Sequence, residues 1–470
     1  MLESMWQSVL GGFSTQRILA DTTNAVLEKG VFGTTWQIAL SSILCVILGA
    51  LATSAGIGGG GLFVPLYAYV LGTGVKFGVP VSKATIFGGS IGKYLGTAFM
   101  KHPTQNRPVV NYNLVAAMQP WELLGTIFGV FFNVLFPELV IVILLVLVLG
   151  FSAKKTLVKG KRLWDKESKA LKEKGMVKNQ SQVTLADSSS DRSESPPNGT
   201  EDVGSGPSGM EETKEESGRG VVQPLDVEKH IVPEIRAEME KEAKTFPVWN
   251  LAILAVMTVF IIIYSLVKKG VIGDLKGCTA GYWAWYFVPV PFFVGLSAFV
   301  IYKLNQDYQH KKQINWEYQP GDLQWDPKTQ KKMPVVGFVA GVCASLVGIG
   351  GGMVTGPLFL ELGLNPKVSS SSSAFMILFT GMSSVVQYLT IGYLPLDFAL
   401  WFIFMGFLGA QLGHHSVKKI LEKTGRDSLI CFLLGGIIAV SVVIMFISGV
   451  ISIATSPADE LFEFSAKGMC

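Results

Sequence analysis

Two glycine clusters offer the first chemistry in this chain. Gly56, Gly58, Gly59, Gly60 and Gly61 lie in "GIGGGGLFVPLY", and Gly348, Gly350, Gly351 and Gly352 lie in "GIGGGMVTGPLF". Glycine gives the backbone the freedom to break a helix. Pro65 and Pro357, a few residues on, suit the first turn of a restarted one. A restarted helix presents free N–H groups and a positive dipole end, which together favour a small anion. Gly56, Gly58 and Gly61 also spell G-x-G-x-x-G, but the second copy has Met353 where the third glycine belongs. Neither copy follows a β-branched strand, so a nucleotide-phosphate loop is set aside.

A stripe of hydroxyl groups follows each cluster. In "VSSSSSAFMILFTGMSSVVQYL", Ser369, Ser372, Ser373, Thr380, Ser383, Ser384 and Gln387 fall on one side of a helix. The matching stripe in the first half is Ser82, Thr85, Ser90, Lys93 and Thr97, with Lys93 aligned on Thr380. Such groups replace the hydration of a small anion, and Lys93 supplies a counter-charge. Gly88, Gly92 and Gly96 form a G-x-x-x-G series on the adjacent face, suited to close helix packing. Glu122, which follows Gln119, Pro120 and Trp121, is the other ionisable residue expected deep in a bilayer. Its carboxylate would pair with Lys93 or carry a coupling proton. The candidate substrate site is therefore Gly58, Gly59, Gly60, Gly61, Gly350, Gly351, Gly352, Ser82, Thr85, Lys93, Ser369, Ser372, Ser373 and Thr380. His414 and His415, beside Gln411 near a helix end, read as membrane-interface residues.

The elements that must position these groups are membrane helices. Charged residues make up 16% of the 470, against about 25% in soluble domains. Apolar residues are 49% and are gathered into long runs: Trp36–Leu51, Leu139–Phe151, Val248–Val267, Trp283–Tyr302, Phe398–Leu412 and Ser428–Ile451. About 20 apolar residues span a bilayer as a helix, so the chain is polytopic and the first helix is expected to serve as its insertion signal. A net charge of +4 gives no reason to expect nucleic acid. The five cysteines are scattered and have no metal-ligand spacing. Without a nucleophile–base pair or an HExxH motif, no enzyme, metal site or cofactor is expected.

Organisation follows from composition and from Lys/Arg placement. Residues 1–35 form an N-terminal extracytoplasmic segment, and 36–153 form a first transmembrane repeat. Residues 154–246 are a cytoplasmic linker, expected to be largely disordered from Lys178 to Gly220. Within the linker, Leu163–Lys174 extends the preceding helix and Val227–Lys244 forms a charged helix. Residues 247–302 are two connecting transmembrane helices, 303–333 a cytoplasmic loop, 334–452 the second repeat and 453–470 a tail. This topology puts the first glycine element on the outer side and the second on the cytoplasmic side. The fold class is then an all-α polytopic membrane protein with two inverted repeats, each carrying a glycine-broken re-entrant or half helix. Interrupted segments at corresponding places in inverted repeats mark the binding site of a secondary transporter.

The residues also carry a resemblance. "GIGGGGLFVPLY" (Gly56–Tyr67), "HPTQNRPVVNYNLVAAMQPWELLGTIFGVFFNVLFPE" (His102–Glu138), "GIGGGMVTGPLFLELGLNPKVSSSSSAFMILFTGMSSVVQY" (Gly348–Tyr388) and "LGAQLGHHSVKKILEKTGRDSLI" (Leu408–Ile430) resemble the TauE/SafE, or sulfite exporter, family of membrane permeases, and its eukaryotic members in particular. The resemblance implies alternating-access transport of small sulfur oxyanions or organosulfonates, often outward, in the plasma membrane or an endomembrane. The expected partners are a small anion, the lipid bilayer and a coupling proton. Two other readings stay open: a membrane scaffold or sensor acting through its linker, and an anion channel.

Overall fold

The computed structural model describes residues 30, 36–55, 60–102, 105–190, 233–268, 279–318, 322–424 and 428–455. Its helices are Trp36–Ala55 (α1), Gly60–Pro65 (α2), Gly74–Thr97 (α3), Tyr112–Leu135 (α4), Glu138–Ser190 (α5), Pro233–Ala243 (α6), Val248–Lys268 (α7), Ala280–Phe287 (α8), Pro289–Gln313 (α9), Pro327–Val347 (α10), Gly352–Glu361 (α11), Pro366–Ile391 (α12), Leu396–Thr424 (α13) and Ser428–Thr455 (α14). A π-helical turn, Leu66–Val70, continues α2. Among the described residues no strand forms. Seven stretches there are long and apolar enough to cross a bilayer.

The core is apolar, but large apolar side chains are also exposed along the spanning helices and polar ones are buried among them. Ile43, Ile47, Leu147, Phe151, Leu400 and Phe404 are exposed, while Thr126, Ser345, Ser372, Ser384 and Gln387 are buried. Exposed apolar side chains on spanning helices belong against lipid, and the polar ones find partners inside. The chain is an all-α polytopic membrane protein.

Local chemistry places the helix starts. Asn111 caps α4 by accepting from the Leu114 amide (3.1 Å). Asp326 does the same for α10 from Thr329 (3.1 Å), with Pro327 as its first residue. At α3 the cap comes from another helix: Glu138 Oε1 accepts from the Val75 amide (2.6 Å). Gly74, at φ +71°, leaves the carboxylate its room, since a Cβ there would stand 3.1 Å from Oε1.

Glycines set the closest crossings. On α4, Gly125 and Gly129 sit under the carbonyls of Phe338 and Val342 of α10. On α13, Gly409 and Gly413 sit under the carbonyls of Val46 and Ala50 of α1. In both pairs the contact positions advance together, so the helices run parallel. The sequence motif aligns α1 with α10, which makes these two crossings corresponding ones. By contrast, α3 and α12 run antiparallel, with Phe87 on Gly381 and Lys93 on Ser370.

The chain divides into two compact units, Met1–Trp164 with Glu240–Cys470, and Asp165–Met239. The helix α5 continues to Ser190, past the expected end at Lys174, so Lys178–Ser190 is helical. Residues 191–232, which hold the rest of the expected disordered stretch, lie outside the described residues. Within the first unit, Glu242 at the end of α6 pairs with Arg107 and Lys311, and Arg107 also pairs with Asp322. Arg107→Ala is expected to raise amide hydrogen exchange around Glu242 several-fold. Unchanged exchange there would mean that these pairs hold nothing.

Candidate functional site

The two glycine breaks meet. A Cβ added to Gly60 would overlap the Gly350 amide and stand 2.6 Å from Ile349 Cα, so only hydrogen fits at this crossing. At Gly61 the neighbours are Leu149 Cδ2 at 2.5 Å and Met353 Cε at 3.0 Å from the added atom. Gly58 and Gly59 lie outside the described residues. In the second break, Gly348 ends α10 in the left-handed region (φ +74°). A Cβ there would stand 2.8 Å from Val64 Cγ2.

Side chains from two helices hold this second break. From α3, the Ser82 hydroxyl donates to the Gly348 carbonyl (2.9 Å) and the Lys83 ammonium to the Ile349 carbonyl (3.3 Å). Lys83 is 1% exposed. From α4, fully buried Glu122 presses Oε1 against Gly351, where a Cβ would overlap it. Among the described residues neither carboxylate oxygen has a hydrogen-bond partner, and neither does either amide atom of Gln119, one turn earlier. Lys83 and Glu122 interact electrostatically across the segment. Buried polar groups left without partners in a packed interior are costly and mark a place that takes a proton, water or ligand.

The expected pairing of Lys93 with Glu122 is therefore corrected. Lys93 lies one turn from the end of α3, is half-buried, and donates to Ser370 Oγ (2.7 Å). The lysine facing Glu122 is Lys83, which the sequence reading passed over. Lys93 instead lines a cavity with Thr53, Phe63, Thr85, Ser90 and Gly406. Its volume open to the centre of a water molecule is about 30 Å³, roughly twice what one water needs. Thr85, on its wall, bonds the Tyr67 hydroxyl (2.6 Å).

Most of the rest of the expected site joins helices. Ser369 donates to the Gly356 carbonyl (3.1 Å), Ser372 Oγ accepts from the Asn111 amide (2.9 Å), and Thr355 donates to Ser373 (3.4 Å). Gly352 packs on the same helix, with Ile377 Cδ1 at 2.7 Å and Ser373 Cβ at 3.6 Å from an added Cβ. Thr380 turns back to the Met376 and Ile377 carbonyls of its own helix (3.3 Å each). Farther along α12, Ser383 bonds Thr126 (3.2 Å) and Ser384 bonds Ser345 (2.8 Å). These hydroxyls act as interhelical hydrogen bonds. His414 packs against Gly96, 3.3 Å from an added Cβ, and His415 is exposed. The site the structure assembles is Gly60, Gly350, Gly351, Ser82, Lys83, Gln119 and Glu122, with a neighbouring cavity at Thr85 and Lys93. A buried lysine one position after a stripe serine was the available signal for Lys83. A local pattern does not give its depth.

The chain is similar to known proteins over most of its length. The family model "Sulfite exporter TauE/SafE" matches residues 33–194 and 243–442. Sulfite exporter TauE/SafE family protein 3 of Arabidopsis thaliana is 31% identical over 410 residues, covering 87% of this chain and 78% of that one. Family protein 5 from the same plant is 29% identical over 423 residues, covering 89% and 84%. Probable membrane transporter protein YunE of Bacillus subtilis is 36% identical over 87 residues, covering 17% and 30%. No solved structure matches the chain.

Proposed function

The chain belongs to the TauE/SafE (sulfite exporter) family and is a membrane transporter, and on that premise we propose that it moves small sulfur oxyanions or organosulfonates by alternating access, coupled to a proton on Glu122. The observation that carries this reading is the meeting of the two breaks at Gly60 and Gly350, with buried Lys83 and Glu122 on either side. Irregular backbone at membrane depth survives only where protein or a cavity covers it. Two such breaks in contact, flanked by ionisable groups, suit a site that opens to one side and then the other.

The repeats are inverted in this reading. Supporting it, α3 and its counterpart α12 run antiparallel, while α1 with α13, and α4 with α10, run parallel. Opposed repeats let one packing arrangement serve both faces of the membrane. The cavity beside Lys93 receives the anion, whose charge is met by the Lys93 ammonium; the Thr85 and Ser90 hydroxyls on its wall donate to the Val81 and Phe87 carbonyls of their own helix. Glu122 carries the proton because its carboxylate has no hydrogen bond that would fix it in the charged form. No catalytic chemistry is assigned to the chain.

The test is uptake of labelled sulfite, sulfate and a small sulfonate into proteoliposomes, with and without a proton gradient. Wild type is expected to give gradient-dependent flux of at least one of them. Glu122→Gln is expected to retain exchange and lose the response to the gradient. Gradient response equal to wild type in that variant would remove Glu122 from the coupling. Absence of flux for all three anions, from folded protein, would remove the substrate class.

A further inference from the structure

The two halves differ at one pair of corresponding positions, and that difference has a chemical meaning. Gly125 and Gly129 on α4 meet α10 as Gly409 and Gly413 on α13 meet α1. Three residues before Gly125 stands Glu122; three before Gly409 stands Gly406. Beside Gly406 is the open cavity with Lys93, whose walls include Gly49 and Ala52 of α1. The counterparts of these two wall residues on α10 are Gly341 and Ala344. Gly341 lies directly under the Glu122 backbone, and Ala344 stands with Glu122 Oε1 beside Gly351. At Gly406 an added Cβ would overlap the Thr85 carbonyl of α3, so the first half carries no side chain there and keeps its cavity beside the crossing, whereas in the other half the Glu122 side chain reaches the break.

We propose that Glu122 is a tethered anion: its carboxylate occupies, beside the second glycine break, an anion position of its own, distinct from the cavity that the first half keeps at Lys93. Two independent observations support it. The carboxylate is fully buried and unbonded among the described residues, pressed on Gly351 at the start of α11, where the first helical bonds come only from Met353, Val354 and Thr355. The amides before them form the positive end of that helix. Lys83, on the other side of the break, supplies the remaining positive charge. A small carboxylate has the charge and size to stand in for the missing side chain, so truncation of Glu122 turns this position into a second anion-binding site.

The experiment is a thermal unfolding series in formate on purified full-length Glu122→Ala and Glu122→Ser, beside wild type and Glu122→Gln, at matched ionic strength in chloride. Both truncated variants are expected to gain about 1–3 °C as formate rises to about ten times its dissociation constant. Wild type and Glu122→Gln, whose space stays filled, report any formate taken up at the Lys93 cavity, which all four proteins keep, and are expected to shift clearly less than the truncated pair. An equal formate shift in all four proteins, or none in the truncated pair, overturns the proposal. Truncated variants that cannot be recovered folded, even when purified throughout in formate, overturn it as well. Sulfite added to wild type reads the other site: a shift lost in Lys93→Met supports the cavity. Formate stabilisation of the truncated variants without any sulfite effect on wild type would leave the tethered anion standing and reject the substrate reading.

Discussion

Gly60→Ala is expected to abolish most transport and to lower thermal stability. The added Cβ meets the backbone of Ile349 and Gly350, which cannot rotate away as a side-chain end does. Overpacking of that kind costs about 1–3 kcal/mol. At about 1.4 kcal/mol per tenfold, displacing the two breaks by that much removes about tenfold or more of the rate. Gly150→Ala and Gly295→Ala, where nothing lies within 4 Å of the added atom, are the matched controls and are expected to keep both properties. Initial uptake rates and unfolding midpoints of the three variants decide the matter. Wild-type flux in Gly60→Ala would mean that the breaks need not touch during transport. Gly351→Ala is a different case, because the atom it meets is the tip of the Glu122 side chain. That change should leave the fold intact and disturb coupling.

Lys83→Met should be the most damaging single change in the interior of α3. It removes the bond to the Ile349 carbonyl and leaves Glu122 without the charge it faces. Stranding one partner of a directly paired buried ion pair costs about 3–5 kcal/mol, and here the backbone of the break separates the two groups. The expected signature is non-additivity. Lys83→Met lowers the unfolding midpoint by several degrees, and the double variant with Glu122→Gln recovers much of the loss. The coupling should fall in the range of about 0.5–3 kcal/mol found for interacting residues. Strictly additive effects would show that the two groups do not sense each other. Transport should be lost in the single and the double variant alike, since the Lys83 charge that holds the break is gone from both.

The membrane class, the breaking of helices at glycine, and the burial of Glu122 were all legible in the sequence. Each depends on local quantities: a run of apolar residues long enough for a bilayer, backbone freedom at Gly60 and Gly350, and the cost of a carboxylate in "AAMQPWELLG". The hydroxyl stripe of α12 was legible too, since Ser372, Ser373, Ser383 and Ser384 are all buried on the expected side. Its role was not. Whether a buried serine lines a path or joins two helices depends on what lies opposite, and opposite Ser372 is the Asn111 amide, 261 positions away in the chain.

The choice between Lys83 and Lys93 separates the two sources of information most clearly. Both lie on α3, Lys83 after Ser82 and Lys93 after Gly92, and the repeat alignment put only Lys93 in the stripe. The tertiary structure buries Lys83 instead, because the second glycine break crosses α3 at Ser82 and Lys83, across a separation of 266 residues. The sequence by itself determined that two half-similar membrane segments carry broken helices and a buried acid, because these follow from composition and repetition. Only the tertiary structure decided which lysine faces that acid, and that Gly406, the counterpart of Glu122, packs directly on the α3 backbone. Those outcomes depend on which faces of distant helices come into contact, and no local pattern encodes that register.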